Sequence, residues 1–474
     1  MKKILICEII LAALMVISGC AVGPDYKRPD APMPASFKEL KGWREALPRD
    51  QEIKTKWWEA FGDSTLNILA EQVNVSNQSI ALAETQYRQA QALVQLARAN
   101  YFPTVGAGAS FTRSLPPGGE GTYNAVNQHE VSLNAAWEVD IWGKVRRQVE
   151  GSSASAESSF ADLQAMRLSM QTELALNYFQ LRTLDAQKKN LEEAVAAYGK
   201  ALELTQNRYN AGVVAKADVA VAQTQLKSSQ AQAIDVGVQR AQLEHAIAIL
   251  AGKPPADFSL PPVTFVPSLI KIPVGIPSDL LERRPDIASA ERKMAAANAQ
   301  IGVAKAAYYP SLSLSGSLGY VSAGLATLFT SPSFFWAIGP MALAATLFDG
   351  GARKAQTEQA MAAYDGTVAF YRQTVLTAFQ GVEDNLAALR ILDEEAQMQE
   401  QAVNSAHESV TLMTNQYRAG IVSYLNVVTV QTIALTNERA AISISGQRLN
   451  AAVLLVKALG GGWSAPEMLG SNQK

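Results

Sequence analysis

Cys20 closes an apolar run that starts at Ile4, and the small residues Ser18 and Gly19 stand directly before it. If cleavage falls ahead of it, the mature chain starts with a cysteine that can carry lipid. Lys2 and Lys3 form the basic start, Ile4 to Ile17 the apolar core, and Ser18-Gly19 the cleavage site. Glu8 is an unusual charge within that core. The run is shorter than the ~20 residues a helix needs to span a hydrocarbon core of ~30 Å, so a cleaved leader over 1–19 is expected. Cys7 leaves with the leader, and the mature chain then has no partner for a disulfide although it enters an oxidising space. Acylation, rather than redox chemistry, accounts for Cys20.

The other reactive side chains point to no catalyst. His129, His245 and His407 lie far apart, without metal-ligand spacing. Gly106-Ala-Gly108 lacks the third glycine of a dinucleotide loop. Gly350-Gly351 lacks the Lys-Ser/Thr ending of a phosphate loop and reads as a strand-to-helix turn. No catalytic residue, no metal and no cofactor beyond a covalent lipid on Cys20 are expected. The formal net charge of −2 gives no reason to expect nucleic acid as a partner. After the leader no apolar run reaches the length of a transmembrane helix.

The elements that would hold such a chain together are written twice. Ile80-Ala-Leu-Ala-Glu84 returns as Ile287-Ala-Ser-Ala-Glu291, and Ala97-Arg-Ala-Asn-Tyr-Phe-Pro103 as Ala304-Lys-Ala-Ala-Tyr-Tyr-Pro310, both 207 residues on. Tyr209-Asn-Ala-Gly212 returns as Tyr417-Arg-Ala-Gly420 and Gln239-Arg240 as Gln447-Arg448, both 208 residues on. A register held over ~170 residues with one slip is a duplication, and its period is far longer than that of a solenoid. The expected organisation is a leader over 1–19, an N-terminal segment over 20–64, a first repeat over 65–263, a linker over 264–271, a second repeat over 272–470 and a tail over 471–474.

Each repeat changes period in the same order. A helical stretch, 65–100 or 279–307, ends before Pro103 or Pro310. The period then drops to two: Val105, Ala107, Ala109 and Phe111 alternate with Thr104, Gly106, Gly108 and Ser110, and Leu312, Leu314 and Leu318 alternate with serines. Past a loop that includes 116–121, a second alternating run covers 131–139. Its counterpart near 334–347 is weaker and holds Pro340. Residues 144–209 and 352–418 contain no proline and two glycines each, which predicts helices ~100 Å long at 1.5 Å per residue. Gly212 or Gly420 interrupts, and a further helix of ~35 residues follows. Four strands of ~10 residues, each with one apolar and one polar face, match transmembrane β-strands. Four cannot close a barrel, and open edges are not tolerated in lipid, so the barrel must be shared. Two chains would give eight strands, too few for a pore; three give twelve.

Together these residues resemble the TolC/OprM family, in the lipoprotein (NodT-like) branch of outer-membrane efflux channels. The resemblance spans essentially the whole chain. It is carried by Cys20-Ala-Val-Gly-Pro-Asp-Tyr26, by Trp57-Trp58 with Phe61-Gly-Asp63, and by Arg283-Arg-Pro-Asp286. Tyr308-Tyr-Pro310, Leu347-Phe-Asp-Gly-Gly351 and the paired Tyr-x-Ala-Gly turns complete it. It implies an α+β membrane protein: a homotrimer with a 12-stranded transmembrane β-barrel, four strands per chain, continuous with a long periplasmic α-helical barrel and a mixed equatorial domain. It implies the exit channel of a tripartite efflux pump, with a periplasmic adaptor and an inner-membrane RND-type transporter as partners and outer-membrane lipid around the barrel. A type I protein secretion duct is the alternative with the same architecture. By resemblance to bacterial lipoproteins, Ala21 after Cys20 fits sorting to the outer membrane.

In that family the turns near 209–218 and 417–426 form the periplasmic tip. The gate would then involve Asp218, Tyr209, Gly212, Tyr417, Gly420 and Asn426. Asn426 stands where relatives often carry Asp, and Thr429 where some carry a second acid, so the acid gate should be weaker here. Val213, Val214, Ile421 and Val422 are the expected adaptor-docking or constriction residues.

Overall fold

The computed structural model describes residues 21–31, 34, 36–39, 56–115, 125–263 and 283–461. Cys20 and the leader, the segment 116–121, the linker 264–271 and the tail lie outside the described residues. The chain divides into two compact units. The first gathers the described residues up to 30 and those within 86–160 and 289–372; the second gathers the described residues within 31–85, 161–288 and 373–461. Each unit therefore draws on both halves of the sequence.

The first half contains helices α1 (Ser64–Ser76) and α2 (Gln78–Ala99), strands β1 (Thr104–Ser114) and β2 (Val126–Val139), then helices α3 (Lys144–Asn210) and α4 (Lys216–Leu250). The second contains α5 (Pro285–Ala306), β3 (Ser311–Ser322), β4 (Phe334–Ala344), α6 (Ala352–Arg418) and α7 (Tyr424–Ala458). Helices α3 and α6 both have 67 residues, and α4 and α7 both have 35. None of the helices among the described residues is long and apolar enough to cross a membrane.

One expected helix is two. The stretch over 65–100 breaks at Asn77, whose buried side chain accepts from the Ser79 and Ile80 amides at 3.0 and 3.1 Å and donates to the Leu250 carbonyl at 2.9 Å. An asparagine that caps the following helix offers the backbone an alternative to continuing the first. In the same unit a 3-10 turn, Trp57–Phe61, buries Trp57, Trp58 and Phe61 and ends at Gly62 with φ +67°. Phe61 packs on Phe179 with centroids 4.9 Å apart. Asp63 caps α1 through the Thr65 and Leu66 amides and accepts from the Tyr178 hydroxyl at 2.7 Å. The Trp-Trp and Phe-Gly-Asp signatures thus join the start of the chain to α3.

In the first unit, residues 22–30 form a strap across α3, α5 and α6. Val22 donates to the Trp142 carbonyl at 3.0 Å. Arg147 donates to the Val22 carbonyl and to Asp25, Asn298 to the Pro24 carbonyl, Tyr26 to Glu291, and Arg28 to the Tyr371 hydroxyl. The approach is close: a Cβ on Gly23 would lie 2.5 Å from the Gly302 Cα.

The four strands make one antiparallel sheet in the order β1-β2-β3-β4. Both β1 and β4 are edges.

Candidate functional site

The sheet has two chemically distinct faces, and its register shows them. Val105, Ala107, Ala109 and Phe111 stand beside Ala135, Leu133, Val131 and His129. Leu133, Trp137 and Val139 stand beside Leu318, Leu314 and Leu312, which continue into Trp336, Met341 and Leu343. This face is apolar except toward the far end of β1 and the start of β2, where Arg113, Asn127 and His129 share it, and its side chains are exposed or half-buried in the single chain; Ile338 on it is 88% exposed. The opposite face carries Thr104, Gly106, Gly108 and Ser110, then Glu130, Ser132, Asn134 and Ala136, then Ser311, Ser313, Ser315 and Ser317. A wide exposed apolar surface marks contact with lipid or protein. A sheet with one apolar and one small polar face is the pattern of a membrane barrel wall.

β4 contains a bulge. Leu314 pairs with Met341 but Gly316 pairs with Ile338, so β4 holds one extra residue there, at Gly339-Pro340. Gly339 has φ +119°, and Pro340 offers no amide to a ladder. The bulge moves the apolar side chains of β4 from even to odd positions, which keeps them on one face.

In the second unit, α3–α4 and α6–α7 are two helical hairpins whose turns share a geometry. Gly212 donates to the Tyr209 carbonyl and Val213 to the Arg208 carbonyl; Gly420 donates to Tyr417 and Ile421 to Gln416. Each is a Schellman turn, with glycine at the left-handed position, φ +74° and +79°. Asp218 and Asn426 take equivalent third positions in the helices that follow, their amides donating to Ala215 and Ser423 carbonyls. An acid there favours the helix dipole. Asp218 is half-buried and Asn426 exposed.

The two hairpins meet through Tyr417. Arg208 Nη1 donates to the Tyr417 carbonyl at 2.8 Å, and its guanidinium lies 4.6 Å from the Tyr417 ring centroid. The Tyr417 hydroxyl is 3.4 Å from Thr205 Oγ1. Tyr417 and Tyr424 pack at 5.3 Å in a cluster with Ala222 and Val427, against which Val422 rests. Burial pushes the Tyr424 hydroxyl up to about 12, with neighbouring Tyr417 and Tyr198 adding to the shift.

The repeat symmetry is broken here. Tyr417 is 4% exposed and Tyr209, its counterpart, 38%. Of the apolar tip residues, Val213 and Ile421 are 60% and 73% exposed, whereas Val214 and Val422 are half-buried. Val213 and Ile421 are therefore the free apolar side chains of the two turns, while Val422 packs against the tyrosine cluster. Sequence reading passed over Arg208. Its one signal is that the second repeat has Gln416 in its place. The His129 ring packs tilted against Phe111 with centroids 4.7 Å apart, and His407 lies 3.1 Å from Glu438.

A family model described as outer membrane efflux protein matches residues 69–253 and 276–461. The solvent efflux pump outer membrane protein SrpC of Pseudomonas putida is 31% identical over 473 residues, covering 96% of this chain and 98% of that protein. The pyoverdine export outer membrane protein OpmQ of Pseudomonas aeruginosa is 31% identical over 474 residues, covering 96% and 97%. The solved structure of the outer-membrane channel OprN is 30% identical, with a TM-score of 0.88 over 94% of this chain and all of that one.

Proposed function

The chain belongs to the outer membrane efflux protein family, and from that premise we propose that three copies close their sheets into one twelve-stranded barrel through which solute leaves passively. The protein is the outer-membrane channel of an efflux pump, set in the outer membrane and reaching into the periplasm. The observation that carries the three-copy reading is the two-faced sheet with open edges at β1 and β4. Unpaired backbone cannot face lipid. Joining β4 of one copy to β1 of the next removes every edge, and three copies leave a lumen wide enough for solute. The serine- and glycine-rich face then lines the water. The two matches to one family model, one in each half, support the duplication.

Cys20 carries the lipid in this reading. The hairpin turns receive an inner-membrane transporter of the RND type through a periplasmic adaptor that contacts Val213 and Ile421. Asp218 forms the acid ring at the tip, a weak one because Asn426 is neutral. SrpC is named for solvent and OpmQ for pyoverdine at equal identity, so cargo does not follow from kinship. The inner-membrane partner chooses it, and the channel itself has no catalytic step.

The test is growth inhibition of a strain lacking the gene by antibiotics, dyes, detergents, solvents and metal salts. Hypersensitivity restored by complementation is the expected outcome, with Cys20→Ala restoring it less well. A full panel without any change, together with loss of secreted protein, would replace efflux with protein secretion.

The Arg208–Tyr417 contacts tie the resting tip. A charged hydrogen bond and a cation–π contact are each worth about 1–3 kcal/mol. Arg208→Ala should raise the conductance of the purified channel in planar bilayers severalfold. Arg208→Lys should raise it partly, since an ammonium keeps the charge without the flat guanidinium. Equal conductance in all three proteins would remove the tie from the gate.

A further inference from the structure

We propose that Glu130 is the charge filter of the strand-lined lumen, favouring cationic over anionic solutes; this rests on the barrel reading above. Arginine, histidine and glutamate are the only charge-bearing residue types in the four strands, at Arg113, His129, Glu130 and Glu138. Arg113 and His129 stand on the other face, the one Phe111 and Val131 share, beside Asn127 and Phe111. Glu130 and Glu138 stand on the small polar face. Glu138 is paired with Lys144, whose Nζ lies 3.1 Å from its carboxylate.

Glu130 has no such partner among the described residues. Its register neighbours are Ser110 on β1 and Val321 on β3, and the next residues of its own strand on that face are Gln128 and Ser132. Every one of them is uncharged. Closure of three copies sets three Glu130 carboxylates at one level around the lumen. Acid rings of this kind raise the local concentration of cations and lower that of anions. At about 10 mM salt the screening length is about 30 Å, so the field reaches Asn134, about 13 Å along the strand from Glu130. The filter is separate from Asp218, which belongs to the hairpin tips.

Asn134 and Leu133 are adjacent residues on opposite faces, and both are exposed in the single chain. Asn134→Cys and Leu133→Cys proteins in outer membranes would be reacted, in about 10 mM salt, with two methanethiosulfonates, one bearing trimethylammonium and one sulfonate. The parent chain sets the background. The expected result is reaction at Asn134→Cys, protection at Leu133→Cys, and a cation-to-anion rate ratio at Asn134→Cys that falls at least about threefold with Glu130→Gln. Glu130→Lys should invert the ratio. An unchanged ratio in both Glu130 variants, with Asn134→Cys still reactive, would overturn the filter and leave the barrel standing. An unreactive Asn134→Cys, or a reactive Leu133→Cys, would overturn the barrel reading and the filter with it.

Discussion

Leu318→Arg should remove the folded channel from the outer membrane, while Ser317→Arg, one residue away, should leave it there. Leu318 sits between Leu133 and Trp336 on the apolar face; Ser317 sits between Asn134 and Ala337 on the other. An arginine on the lipid face of a barrel costs about 2–4 kcal/mol near the midplane, and the proposed three-copy barrel would bear that cost three times. On the water-lined face the same side chain stays hydrated. The readout is the heat-sensitive oligomer band of washed outer membranes, with total protein as control. Equal loss in both variants would mean that crowding, not lipid, decides, and the assignment of faces would fall.

Arg147→Ala should cost about 2–4 kcal/mol of stability and free the strap. Its buried guanidinium reaches Asp25 at 2.8 Å, Glu150 at 2.7 Å and the Val22 carbonyl at 3.3 Å. Removing it strands partly buried acceptors on two elements at once. Asp25 is itself exposed, so water replaces part of that contact and the lower end of the range applies to it. Arg147→Lys should recover under half of the loss, because one ammonium cannot serve acceptors spread around a planar fork. Unfolding midpoints in detergent measure the first effect. Protease cleavage within 21–30 measures the second. An unchanged midpoint with a protected strap would sink this account. Gly302 belongs to the same contact, since a Cβ there would lie 2.8 Å from Arg147 Cγ.

What the sequence made readable follows from how local each signal is. The 67-residue helices were legible because each stretch lacks proline and holds only two glycines. The break at Asn77 was not, because the bond that fixes it runs to Leu250, 173 residues away. β4 looked weak because one extra residue at Gly339-Pro340 reverses its alternation midway: Phe334, Trp336 and Ile338 precede the bulge, Met341 and Leu343 follow it. β2 begins at Val126, ahead of the 131 expected, because Asn127 to Glu130 are polar on both faces and carry no alternation. At the tips the glycines announced the turns through their left-handed backbone. The tie between Arg208 and Tyr417 spans 209 residues and has no local signature. Repeat pairs therefore disclosed where equivalent positions lie, but not which member of each pair is buried.

The open edges at β1 and β4 also have a genetic meaning. A protomer damaged at either edge is not merely lost, because it can still offer its sound edge to healthy neighbours. In the proposed three-copy barrel, random mixing of equal numbers of damaged and healthy copies would leave about one assembly in eight with healthy copies alone. Edge lesions in this gene are thus expected to be dominant over the intact allele, whereas a lesion that prevents export altogether is expected to be recessive.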